Sequence, residues 1–197
     1  MTTSLFDIFP PKAGRVHEAC GAGAFGFAAA LAAAGSGPVM WVAEGWRHEV
    51  VNPVGFSAFA DPARLFMARA GSPDEALAVA EEALRDGAVP LVVIEVGRAL
   101  SLKAGRRLQL AAKAGRSRGL CLISEEMGSN AAETRWRCTP VFDGDGAGGH
   151  STLQRWELIK NKAGTCGAWN VRWDAAARRL DVVPPAGQRP QPPGAAG

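Results

Sequence analysis

Residues 73 to 123 alternate helical and strand patterns twice over, and few folds accommodate that alternation. Pro73 to Arg85 follows Ser72, a capping residue type, with Pro at the first helical position. It carries Leu77, Ala80, Glu81 and Leu84 at helical spacing and stops at Gly87. Leu91 to Val96 is a run of apolar and β-branched residues, the pattern of a strand covered on both faces. Arg106 to Ala114 returns to a helical period, and Leu120 to Ile123 is again a strand. Upstream, Val39 to Val42 reads as another buried strand. A weaker strand lies around Val16, ahead of Phe27 to Ala34, where Ala and Leu favour helix and Gly35 supplies a stop. This order predicts an α/β domain with a mainly parallel central sheet. From Thr134 the period becomes two: Trp136 and Cys138 alternate with Arg135 and Arg137, and Trp169, Val171 and Trp173 with Asn170, Arg172 and Asp174. Antiparallel strands with one polar face are expected there.

A chain of 197 residues, 47% hydrophobic, buries one substantial core, so a single domain is expected over 15–183. Residues 1–14 place Leu5, Phe6, Ile8 and Phe9 ahead of Pro10-Pro11, too short for a domain and too apolar for a linker. They are expected to dock in a groove, the chain's own or a partner's, with Phe6 and Phe9 as contact candidates. Asp143 to Gly149 is a glycine-rich loop, and residues 184–197, rich in Pro, Gly and Gln, are expected to form a disordered tail. No apolar run approaches a bilayer span, and the Ala-rich stretch from Phe25 lies behind His17 and Glu18 without a basic segment before it. The expectation is a cytoplasmic protein with no membrane contact. Cys20, Cys121, Cys138 and Cys166 are scattered, and His17, His48 and His150 stand at no ligand spacing, so no metal site is expected.

One loop carries a potential chemistry. A phosphate-binding loop has the spacing G-x-x-x-x-G-K-[ST] between a strand and a helix. Its backbone N–H groups wrap the phosphates, its Lys reaches the β and γ oxygens, and its hydroxyl holds Mg²⁺. Gly21, Gly26, Phe27 and Ala28 occupy those four positions. The loop geometry is open to survival, whereas Phe27 brings no charge and Ala28 no metal ligand, so the stabilisation on which phosphoryl transfer depends is missing. Locally the same residues also fit a glycine-rich turn that packs a helix closely on a strand.

From Val16 to about Val183 the order of segments resembles the ATPase core of bacterial RecA. Val42-Ala43-Glu44 resembles the strand end that carries that family's catalytic Glu. Asp61 to Met67, then Glu75-Ala76-Leu77 and Gly87 to Glu95, is similar to its run of helix into the Walker B strand, with Glu95 where the family carries Asp. Lys160-Asn161-Lys162 resembles a stretch whose lysines approach the neighbouring subunit's nucleotide. The chain departs from RecA in the loop side chains, in a nearly absent N-terminal polymerisation segment, and in two shortened DNA-binding loops, at 96–105 and 124–134. The remainder is similar to ImuA, the RecA-related accessory family of bacterial inducible mutagenesis, in His17-Glu18, Trp41, Asp61 to Leu65 and Arg106 to Ala112. The resemblance implies a RecA-like core with a degenerate phosphate loop, no cofactor and no catalysis. It implies a role in SOS-induced translesion synthesis with ImuB and an error-prone polymerase, RecA and single-stranded DNA being further contacts to weigh. Oligomeric state is left open.

The formal charge of +3 is too small to predict nucleic-acid binding, but its distribution is uneven. Between Glu95 and Glu125 there is no acid, while Arg98, Lys103, Arg106, Arg107, Lys113, Arg116 and Arg118 all fall there. Arg106 and Lys113 share a helix face, whereas Leu108, Ala111 and Ala112 fall on another. Such a run is either a solvated helix face or a contact surface for DNA phosphates or an acidic partner. The six tryptophans fit core or interface positions better than base-stacking platforms. Three functions follow: an interaction subunit, a weak ATPase completed by Lys160 or Lys162 across a subunit interface, and a SulA-like inhibitor of cell division. The loop substitutions favour the first over the second, and the ImuA-like segments favour it over the third.

Overall fold

The computed structural model describes residues 4–46, 50–143 and 151–184. Six strands, β1 (Arg15–Cys20), β2 (Val39–Glu44), β3 (Leu65–Ala70), β4 (Leu91–Glu95), β5 (Arg118–Leu122) and β6 (Thr134–Pro140), run parallel. Three more, β7 (Gln154–Asn161), β8 (Gly167–Asp174) and β9 (Arg179–Val183), continue the sheet antiparallel. The order is β3-β2-β4-β5-β1-β6-β7-β8-β9, with β1 between the halves.

Helices α1 (Ala24–Ala33) and α2 (Pro53–Ser57) cover one face and α3 (Pro73–Asp86) and α4 (Leu102–Gly115) the other. On the first face Phe27 of α1 packs on Trp136 and Trp156, with ring centroids 5.3 and 4.7 Å away. On the second, Leu84 and Leu108 close over Val92, Ile94 and Cys121. Helix α3 starts as its sequence predicts, whereas α4 starts at Leu102, four residues before the expected Arg106, behind a Ser101 cap that local reading missed. Ser72 accepts from Glu75 N, Ser101 accepts from Ala104 N, and α3 ends at Gly87 in the left-handed region.

Four further expectations change. The segment after Asp61 is a 3-10 turn at Pro62–Arg64 followed by strand β3, not helix. Asp61 caps the turn, and Arg64 donates to Gly37 O and Ala32 O, closing the end of α1. Strand β6 pairs antiparallel with β7 as expected, but its other edge pairs parallel with β1, because alternation reports a polar face and not strand direction. Helix α1 begins three residues before Phe27, placing Gly26 inside it. The N-terminal segment docks on its own domain. Leu5 and Phe9 are buried in the core, Phe9 lies 5.6 Å from the Phe27 ring, and only Phe6, 57% exposed, faces outward. Phe9 is therefore withdrawn as a partner contact. The tail expectation from Pro185 onward, nearly all of the 143–149 loop, and His48 and His150 lie outside the described residues.

Candidate functional site

The loop after β1 is three residues long, Gly21, Ala22 and Gly23, before α1 begins. Gly21 has φ +86°, where an L side chain is strained, and a Cβ built on it would stand 2.5 Å from the Cys138 carbonyl oxygen. Three amides of the loop and the first helical turn are already used. Gly23 N donates to Cys138 O at 2.8 Å, Ala24 N to Gly21 O at 3.0 Å, and Phe27 N to Gly23 O at 3.0 Å. The Gln154 side chain from β7 lies across the outer side. A Cβ at Gly23 would meet its Oε1 at 2.6 Å and one at Gly26 its Nε2 at 2.5 Å. Gln154 is held there because Oε1 accepts from Trp156 Nε1 at 2.8 Å. The expectation that phosphate-loop geometry survives is not met: Gly21, Gly23 and Gly26 admit the neighbouring strands, and Phe27 and Ala28 are wholly buried core residues. The close-packed turn is the arrangement present.

Glu44 and Glu95 end neighbouring strands, but on opposite faces of the sheet, since Val42 and Glu44 share the α3 side and Val93 and Glu95 the α1 side. Both are buried as acceptors. Glu95 takes the Trp41 indole N–H at 2.7 Å. Glu44 takes Gly97 N at 3.2 Å and the Trp46 indole. Their separation argues against a shared water or metal, and their occupation by indoles gives each a structural role. Among the described residues, no group of three or more His, Cys, Asp or Glu is placed to hold a metal ion. No described helix is long and apolar enough to cross a membrane.

The basic run divides. Arg98 pairs with Asp74 and Arg107 with Glu81, 2.6 Å away, so both turn toward α3. Lys103 lines the same α3–α4 seam. Arg118 donates to Pro11 O, tying β5 to the N-terminal segment. Arg106 and Lys113 project from the other side of α4, exposed and with no ion-pair partner among the described residues. They border an open cleft of about 580 Å³, lined also by Arg15, Asn130, Glu133 and Lys162.

The wall opposite α4 is residues 128–133. Glu18, 1% exposed, accepts from Ser129 N at 2.8 Å and from Arg135 Nε at 2.8 Å. Lys160 donates to Ser129 O and Lys162 to Ala131 O, each at 2.8 Å. Burial, with the charges of Arg135 and Lys162, lowers the Lys160 ammonium from its ordinary range. Gln109 pins α4 to the same wall, accepting from Val16 N and donating to Val16 O and Ala131 O. The structure thus brings Lys162 beside Arg106 and Lys113 and separates all three from Arg98 and Lys103. Glu18 and Gln109 fall in segments that carry the family resemblance, which gives them no role, and Gln154 falls in none; their contacts arise from strand pairings that local spacing does not encode.

Trp41, Trp136 and Trp156 are buried, and Trp169 and Trp173 nearly so, which makes them core residues. Cys20, Cys121 and Cys138 are buried thiols whose pKa burial raises, and Cys166 is exposed. Compared with known proteins, no family model matches the chain and no curated protein is significantly similar to it.

Proposed function

We propose that the protein is a non-catalytic accessory subunit acting through protein contacts, with the RecA-like core and degenerate phosphate loop that the ImuA resemblance implies. On that resemblance its setting is SOS-induced translesion synthesis, with ImuB and an error-prone polymerase as partners. The observation that carries the non-catalytic part is the Gln154 side chain over Gly23 and Gly26, with Phe27 in the core behind it. Three of the amides here, those of Gly23, Ala24 and Phe27, are already bonded to Cys138 O and to the loop's own carbonyls, and the Gln154 amide lies across the opening, which weighs against a bound phosphate. The engagement of Lys160 and Lys162 with Ser129 O and Ala131 O weighs against lending either lysine to a neighbouring subunit.

The test is calorimetric titration with ATP, with and without Mg²⁺, alongside turnover with and without single-stranded DNA. Neither binding nor turnover is expected. Micromolar, Mg²⁺-dependent binding with DNA-stimulated turnover would overturn the non-catalytic reading. Failure to co-purify with an ImuB-type protein from damage-induced cells would overturn the assignment to translesion synthesis.

A further inference from the structure

We infer that the cleft between α4 and residues 128–133 is a docking groove for an acidic, leucine-bearing segment of a partner protein. This rests on the reading that the protein works through protein contacts, and it names the chemistry of one such contact.

Charge is the first argument. Arg15, Arg106, Lys113 and Lys162 face the cleft, with Glu133 as the one carboxylate lining it. Glu133 is already paired with Arg15 at 3.6 Å. On the α3 side, Arg107 of α4 and Arg98 ahead of that helix both have carboxylate partners. Arg106 and Lys113, which border the cleft, have no carboxylate partner among the described residues, and an acidic ligand complements them.

The second argument is the outer stripe of α4. Leu102, Arg106, Leu110 and Lys113 succeed one another at steps of four, four and three, so they form one row along the helix. Leu102 is 48% and Leu110 68% exposed. Apolar and basic residues alternate along this row, a surface that suits a segment alternating apolar and acidic side chains. The cleft floor is preformed, since Gln109 and Lys162 both donate to Ala131 O and Gln109 also holds Val16. A partner would therefore meet little ordering cost on this side.

The third argument separates peptide from nucleic acid. Single strands are held by aromatic platforms within a basic groove, and no aromatic residue lines this cleft. Leu102 and Leu110, about two turns apart, offer apolar anchorage instead.

Fluorescence anisotropy on the full chain tests this with four labelled probes. They are a short amphipathic peptide with Leu on one face and Glu elsewhere, the same peptide with Glu replaced by Lys, the same with Leu replaced by Ser, and oligo-dT. The Glu/Leu peptide should bind, and each altered peptide should bind at least about tenfold more weakly. Arg106→Glu with Lys113→Glu should weaken the Glu/Leu peptide by at least about tenfold and improve the Lys/Leu peptide, a reversal that misfolding cannot produce. Leu110→Ser should weaken it with the circular dichroism unchanged. The inference is overturned if the Glu/Leu peptide does not bind, or if it binds the charge-reversed protein equally well. It is also overturned if oligo-dT alone binds, with a steep salt dependence lost in the charge-reversed variant. Loss of all partner proteins from the wild-type chain would instead overturn the reading on which it rests.

Discussion

The Gln154 side-chain amide covers Gly26 so closely that a Cβ there would stand 2.5 Å from Nε2. This contact joins the first helix to the antiparallel part of the sheet. Gly26→Ala should therefore gain less than the ~1 kcal/mol by which alanine is favoured over glycine within a helix, because the methyl makes the Gln154 amide give up its place beside Trp156. In a Gln154→Ala background the gain should be full. Urea unfolding of the four proteins of this cycle measures the difference, and additive effects would show that the amide does not exclude the methyl. Gly21→Ala meets the Cys138 carbonyl and a left-handed φ together, and should cost about 2 kcal/mol or more in either background.

Restoring the missing phosphate-loop side chains should not restore binding. Phe27 is wholly buried against Phe9, Trp136 and Trp156, so Phe27→Lys with Ala28→Thr puts an unpaired ammonium among aromatic rings. The expected loss exceeds about 4 kcal/mol, close to the whole stability of a marginal domain. Circular dichroism and thermal unfolding report it directly. A folded double variant that binds ATP would show that the loop opens.

The two N-terminal phenylalanines should behave in opposite ways. Phe9→Ala removes a ring packed on Phe27 and Trp156 and should cost about 3 kcal/mol. Phe6, more than half exposed, should change stability by less than about 0.5 kcal/mol on truncation. Denaturant midpoints of the single variants decide the matter, and equal effects would contradict the burial of Phe9.

Acid should weaken the fold through His17. Its ring is fully buried, and its Nε2 donates to Lys12 O at 2.9 Å, so Nδ1 accepts the Thr134 hydroxyl at 2.7 Å. Burial lowers its pKa from 6.5 to about 4, and the Lys12 contact only partly opposes this. The unfolded chain therefore takes up a proton that the folded chain refuses between these values. The contribution is fully present above pH 6.5 and is lost as the pH falls through about 4. The slope from this one group is at most about 1.4 kcal/mol per pH unit. Urea midpoints from pH 7 to 4 should fall less steeply in His17→Gln than in the parent protein. Parallel profiles would place the acid sensitivity elsewhere.

Legibility in the sequence followed how local each determinant is. Helix α3 announces itself through Ser72, Pro73 and Gly87, all within its own turns, and Leu91 to Glu95 through an apolar run that only a doubly covered strand requires. The Arg106 and Lys113 face is readable from spacing, because Leu108, Ala111 and Ala112 mark the buried side. Strand β3 is not, since an edge strand with Phe66, Met67 and Arg69 exposed shows neither a buried run nor alternation. Nor does any local pattern tell that β6 lies beside β1, or that Lys162 returns to Ala131 across 31 residues. The glycine spacing after β1 misled because close packing and phosphate binding ask for the same missing side chains, and only Gln154, far along the chain, distinguishes them.

The position of β1 in the sheet also sets an order of events during synthesis. Among the described strands Arg15 to Cys20 is made first, yet both its neighbours, β5 and β6, come later, and its Glu18 finds Ser129 only 111 residues on. At translation rates of about 5–20 residues per second, the strand waits on the order of 5 to 20 s with both edges unpaired. Its apolar residues must be shielded over that interval by the nascent α1 or by a chaperone. The central strand of the finished domain is thus the most vulnerable segment of the growing chain.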